Sequence, residues 1–250
     1  MQARVDEIAD RIYRISTLVP DIGPDGFTFN QFLIDGEEPV LFHTGMRQLF
    51  PVVRAGLEQV MPMERLRWIS FAHVEADECG AMNEFLAVAP QAQVMHSALG
   101  CMVSVNDLAD RAPHPLGDGE VVELGEGPDG RRVLEIATPH VPHNWESHLL
   151  FEQQTGTLFA GDLFTQLGDP ASITDGDILE GAIVAEEVFR STSLGPAVPA
   201  TLRKLADLEP KTLATMHGSS FRGDGGALLR TLADVYEQRF DCAAPAATAA

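Results

Sequence analysis

The chain has 250 residues, of which 45% are hydrophobic and 22% charged. This size and composition fit one large α/β domain, or two small ones, with a buried core. The formal charge of −20 argues against nucleic acid or anionic lipid as a partner, because both attract basic surfaces. The 3 scattered cysteines, none in a CxxC pair, argue against a disulfide framework and a cysteine-based metal site.

The N-terminus "MQARVDEIADRIYRIS" has no apolar segment of the signal-peptide type. No apolar run approaches the ~18 residues that span a membrane. We therefore expect a cytoplasmic protein. The low-complexity tail "AAPAATAA", 243–250, is expected to be disordered, which leaves a single domain over 1–242.

The first third of the chain is typical of strands and hairpins. Turn residues separate β-rich segments, which predicts strands over 11–19, 27–35 and 40–45. A helix is expected across "MRQLFPVVRAGLEQV", beginning close to Pro51, since proline is best tolerated in a first turn. The next strand is predicted over 67–72.

Further along, a helix around "CGAMNEFLAVA", a strand over 92–97 and a short helix near "SVNDLADR" are predicted. Four strand candidates follow: "GEVVELG", "RRVLEIATP", "HLLFEQQ" and "TLFAGDLF". Two last helices are expected over about 178–192 and 225–239. Strand-rich blocks that are each followed by helices suggest an α/β fold, a four-layer αββα sandwich.

The segment "WISFAHVEADECG", 68–80, contains three metal-ligand types at alternate positions: His73, Glu75 and Asp77. Alternate side chains of an extended segment point the same way, so these three converge just beyond a strand. The simpler reading is that Asp77 or Glu78 caps the following helix and that His73 is a core histidine.

Three later strand ends carry similar residues. "TPHVPHNWESHLLF" contains His140, His143 and His148, "LFAGDLF" contains Asp162, and "LATMHGSSF" contains His217. Each alone is more typical of a cap or a turn. Together with His73, Glu75 and Asp77 they supply ligands from four strand ends, and this conjunction predicts a metal site.

This ligand order resembles the metallo-β-lactamase fold superfamily over nearly the whole chain, which implies the αββα sandwich. The usual first motif is His-x-His-x-Asp-His, and here Glu75 and Glu78 stand where histidines do. His-x-Glu-x-Asp is the form of the di-iron branch, the flavodiiron proteins and their stand-alone oxygen-binding relatives. "HNWESH" is similar to the His-Trp-Pro-Asp-Ser segment of that branch, which selects His143.

The resemblance implies a set of ligand residues for each of two metal ions. His73, Glu75 and His143 would hold one ion, Asp77 and His217 the other, and Asp162 would bridge them. His43 and His148 are expected to support the ligands from behind. For His43 the alternative is a histidine whose hydrogen bonds are satisfied at a strand end. For Glu78 two alternatives stay open: it is an extra ligand of the second metal, or it turns outward and caps the helix.

Carboxylate ligands imply two iron ions, with zinc or manganese as the alternative. The short segment after His217 leaves no room for a flavin domain, so electrons would come from a separate donor. The leading interpretation is a non-haem di-iron protein that binds O₂ to sense, carry or reduce it, acting alone, with a signalling partner, or as a homodimer. The alternatives are a dinuclear hydrolase that cleaves an ester, thioester or phosphodiester, and an interaction protein that has lost its metal.

Overall fold

The computed structural model describes residues 1–23, 25–193 and 195–243. Its first half forms a seven-stranded sheet in simple sequence order. Neighbours are antiparallel from the first strand to the fourth and parallel from the fourth to the seventh. The strands are β1 (Arg4–Ala9), β2 (Ile12–Val19), β3 (Phe27–Ile34), β4 (Val40–Phe42), β5 (Trp68–Ser70), β6 (Gln93–Ser97) and β7 (His114–Leu116).

A second seven-stranded sheet follows in the order β12-β14-β13-β11-β10-β9-β8. Its strands are β8 (Val121–Leu124), β9 (Arg131–Ala137), β10 (His148–Glu152), β11 (Thr157–Gly161), β12 (Ile173–Thr174), β13 (Thr212–Thr215) and β14 (Ser220–Arg222). Strands β11 and β13 are parallel, so they end at the same edge of the sheet.

All helices but the last lie between these strands in the sequence, and α8 follows β14. They are α1 (Phe50–Leu57), α2 (Ala76–Cys79), α3 (Met82–Val88), α4 (Ala98–Gly100), α5 (Asn106–Leu108), α6 (Leu179–Phe189), α7 (Ala197–Ala206) and α8 (Gly225–Ala243). Short 3₁₀ turns occupy Arg47–Leu49 and Met63–Arg65, and a π-helical turn, Cys101–Val105, joins α4 to α5.

Two hydrophobic clusters hold these layers together. Between the sheets, Phe159 of β11 packs against Phe42 of β4 and Phe32 of β3, with ring centroids 5.2 and 5.8 Å apart. This cluster continues through the second sheet to buried leucines of α7 and α8, and the other cluster joins the outer face of the first sheet to α1 and α3. The predicted four-layer αββα sandwich is therefore confirmed.

Several short elements differ from the sequence-based prediction. Strands β1, β7 and β14 and helix α7 lie in segments for which no element was predicted. Helix α7 begins after Pro196 and has Pro199 in its first turn, where a missing backbone N–H costs little. The predicted helix start near Pro51 is confirmed, since α1 begins at Phe50. Most of the tail predicted to be disordered lies outside the described residues.

Within the described part of the chain, no helix is both long enough and apolar enough to cross a membrane.

Candidate metal centre

The metal-ligand residues predicted from the sequence follow strands whose ends meet along one side of the sandwich. His73 lies three residues beyond β5, Asp162 directly follows β11, and His217 lies two residues beyond β13. His143 lies in the loop from β9 to β10. Because β10 runs antiparallel to β11, this loop lies at the same edge as Asp162.

Four of these side chains form a compact first half-site. Single ligand atoms of His73, Glu75, His143 and Asp162 all lie within 4.8 Å of one another. Nε2 of His73 is 2.9 Å from Oε2 of Glu75, and Nε2 of His143 is 3.1 Å from Oδ2 of Asp162. His73 is fully buried, whereas the side chain of Glu75 is 51% exposed and borders open space.

The second half-site shares Asp162 with the first. Nε2 of His217 lies 3.3 Å from Oδ1 of Asp162 and 3.4 Å from Oδ2 of Asp77. Nδ1 of His217 donates to the carbonyl of Thr28 at 2.8 Å, which leaves Nε2 free to face the two carboxylates. The two oxygens of Asp162 thus face different half-sites.

The carboxylates make this pocket strongly favourable for positive charge. Burial alone would lower the pKa of His73, but the nearby Glu78, Glu75 and Asp162 carboxylates raise it to about 10. The pKa of His217 is raised to about 10 by Asp162 and Asp77, again against the effect of burial. Burial would raise the pKa of Asp162, but the hydrogen bond from His143 and the nearby ring of His217 hold it well below its usual value.

These residues fit a pair of divalent metal ions. Oδ1 of Asp162 is buried and makes no well-formed hydrogen bond, which leaves an acceptor that a cation would satisfy. Imidazole and carboxylate donors suit iron, zinc and manganese. His73, Glu75, His143 and Asp162 could hold one ion, and Asp77, His217 and Asp162 the other.

His148 supports the segment that leads to His73. Its Nε2 donates to the carbonyl of Phe71 at 2.9 Å, and its backbone N–H donates to the carbonyl of Ala72 at 2.9 Å. It thus reaches the centre through the backbone rather than through a ligand side chain. His140, on the loop before it, is exposed.

Glu78 and His43 lie behind His73, and both are fully buried. Oε2 of Glu78 accepts the backbone N–H of His73 at 2.6 Å, and Oε1 lies 3.3 Å from Nδ1 of His73 and 3.3 Å from Nε2 of His43. Burial raises the pKa of Glu78 to about 8 and lowers that of His43 to about 3. The alternative in which Glu78 turns outward as a helix cap is wrong, because its side chain has no contact with solvent.

An open cavity of about 400 Å³ leads to the centre. Phe27 and Phe189 form its apolar side, and Phe27 stacks on the ring of His217 at a centroid distance of 4.2 Å. The sequence reasoning missed both phenylalanines. Their approach to His217 joins segments far apart in the chain, and no local spacing signals it.

An αββα sandwich with histidine and carboxylate side chains at its strand ends defines a metallo-β-lactamase-like protein, similar to the lactamase-like domain of flavodiiron proteins. A family model described as "ODP family beta lactamase" matches residues 27–218. The chain belongs to this family.

Its relatives are longer proteins. A putative diflavin flavoprotein A 1 of Nostoc sp. is 27% identical over 78% of this chain and 34% of its own length. A rubredoxin-oxygen oxidoreductase of Megalodesulfovibrio gigas is 22% identical over 81% of this chain and 51% of its own length. The flavodiiron core of Flv1 from Synechocystis sp. matches the fold with a TM-score of 0.78 at 23% identity, covering 96% of this chain and 61% of that one. The chain thus spans about a third to a half of these curated relatives.

Proposed function

We propose that this chain holds two iron ions and binds O₂ at them, to sense or carry it, or to reduce it with electrons from a separate donor. The observation that carries the proposal is the placement of Asp162, whose two oxygens face two sets of ligands. The name of the Megalodesulfovibrio relative, an oxygen oxidoreductase, supports the same chemistry.

Three carboxylates and three histidines make up the proposed ligand set, which consists of His73, Glu75, Asp77, His143, Asp162 and His217. When bound, ferrous ions supply open coordination positions and electrons for O₂. Glu75 is the residue that would favour iron, because it gives the first half-site an anionic oxygen donor beside two imidazoles. The Thr28 carbonyl orients His217 by fixing its Nδ1 proton.

The apolar side of the cavity supports a small, uncharged ligand. Phe27 and Phe189 cover the space in front of His217, with ring centroids 5.6 Å apart. A polar group placed against these rings would lose its hydrogen bonds, whereas a diatomic gas loses none there.

Metal competition on the Glu75→His variant tests the role of the carboxylate. Apo protein is offered equal concentrations of Fe²⁺ and Zn²⁺ without oxygen, and the bound metals are measured by elemental analysis. We expect the Glu75→His variant to bind a larger share of zinc, because imidazole replaces a hard oxygen donor. Glu58→His is the matched control, since Glu58 pairs with Arg54 on the surface and its replacement leaves the metal share unchanged.

The metal content and the absorption spectrum of the wild-type protein test the proposed binding of iron and O₂. Purified without added metal, it is expected to contain about two iron ions per chain and to develop a visible absorption band on exposure to O₂. Two zinc ions with turnover of a thioester or phosphodiester would instead establish the hydrolase. Protein that binds no metal would contradict both.

A further inference from the structure

We infer that Glu78 is a positioning residue for His73 and not a ligand, and that the two half-sites therefore take up metal in sequence, the first half-site before the second. This inference rests on the dinuclear centre of the proposed function. It concerns the order of binding rather than the identity of the metal.

The contacts of Glu78 all lie on the side of His73 away from Glu75 and Asp162. One oxygen accepts the backbone N–H of His73 at 2.6 Å, and the other lies 3.3 Å from Nδ1 of the same residue. Nε2 of His73 faces Glu75 at 2.9 Å. The Glu78 oxygen lies 3.3 Å from Nδ1, and a proton on that nitrogen leaves Nε2 with its lone pair toward the metal.

The surroundings of Glu78 keep it in this position. Its oxygen at His73 also lies 3.3 Å from Nε2 of His43, which is fully buried. Its backbone carbonyl accepts both the N–H and the hydroxyl of Thr44, at 2.6 and 3.1 Å. Oε2 is therefore engaged by the backbone N–H of His73, while Oε1 faces the two ring nitrogens at 3.3 Å without a well-formed hydrogen bond. Turning toward Asp77 would leave the buried N–H of His73 unpaired.

Because Glu78 contacts His73 and is not a ligand, the two half-sites have unequal numbers of donor residues. The first has four residues whose ligand atoms already lie within 4.8 Å of one another. The second has Asp77 and His217 of its own and shares Asp162. A preorganised site with more donors binds the same ion more tightly, since less reorganisation opposes binding.

Calorimetric titration of the apo protein with Zn²⁺ tests the order of binding. We expect two classes of site whose affinities differ by at least about 10-fold. Asp77→Asn should abolish the weak class and leave the tight class intact. Glu78→Gln, which keeps the volume and replaces one side-chain oxygen with an amide nitrogen, should weaken the tight class by about 10–100-fold and leave the weak class unchanged.

Two further variants separate positioning from general destabilisation. His43→Asn changes the other neighbour of Glu78 and should also lower the metal affinity of the tight class. Glu152→Gln changes another fully buried glutamate, which accepts a hydrogen bond from the backbone N–H of Thr155. It should leave the metal affinities of both classes unchanged.

Loss of the weak class in Glu78→Gln would show that Glu78 is a ligand of the second metal and overturn the inference. Two equal classes in the wild-type protein would overturn it as well. Zinc serves as the probe, so a protein that proves to be a zinc hydrolase would refute the proposed function and leave this inference standing.

Discussion

Asn30→Ala is expected to destabilise the protein and to weaken metal binding at the second half-site. Asn30 lies on β3 and is fully buried. Its Nδ2 donates to the carbonyls of Thr215 and Gly218, both at 2.9 Å, and these residues flank His217. The side chain therefore fastens the loop of one sheet to a strand of the other.

The size of the effect follows from these two hydrogen bonds. The substitution leaves the Thr215 carbonyl without this donor, whereas the Gly218 carbonyl keeps a hydrogen bond from Arg14. An unsatisfied buried group costs about 1–3 kcal/mol. We expect a loss of about 2 kcal/mol in the free energy of unfolding of the apo protein, which lowers Tm by about 4–8 °C in a chain of this size.

Asn83→Ala is the matched control. Asn83 also makes two hydrogen bonds, with the carbonyl of Leu108 and the N–H of Asp110, each at 2.9 Å, but it lies near the surface. Water can replace its bonds, so we expect a loss below about 1 kcal/mol.

Urea denaturation measures both stabilities, and Zn²⁺ titration measures both affinities. Equal losses of stability in the two variants would refute the reasoning for Asn30. An unchanged weak class of metal in Asn30→Ala would show that His217 keeps its position without this bond.

Gly161→Ala should lower both the free energy of unfolding and the affinity for metal. Gly161 has a φ of +52°, and its added Cβ would lie 2.9 Å from Cβ of Ala72. Gly161 directly precedes Asp162, so a shift of its backbone would move this proposed ligand. The backbone alone costs about 1–2 kcal/mol, and thermal denaturation with and without Zn²⁺ separates this loss from that of metal binding. Arg14→Met should destabilise the apo protein by about 0.5–1.5 kcal/mol, since it removes the hydrogen bond from Arg14 to the carbonyl of Gly218, which keeps Asn30 as its second donor. An unchanged midpoint in urea would contradict this expectation.

The positions of the candidate ligands along the chain could be predicted because they follow apolar strands. His73, Asp162 and His217 each come shortly after a strand that is buried throughout, so the change from apolar to polar residues marks the strand end in the sequence. The parallel pairing of β11 and β13 then brings two of these ends together.

The orientation of Glu78 could not be predicted in the same way. An acidic residue at the start of a helix is typical of a cap. One residue that Glu78 approaches, His43, is distant from it in the sequence. His43 reaches it only because β4 and β5 pair in parallel, which places the residues after both strands side by side. Helix α7 was missed for a local reason, since Pro196 before it and Pro199 in its first turn are typical of a loop.

The proposed centre also divides evenly between the two halves of the chain. His73, Glu75 and Asp77 follow strands of the first sheet, whereas His143, Asp162 and His217 belong to the second. The link between the sheets, 117–120, is a short surface turn. A protein cut there would become two fragments, each carrying three of the six proposed ligands. Metal bound at the centre would then add to the hydrophobic contacts between the sheets, so the affinity of the two fragments for each other would rise with metal.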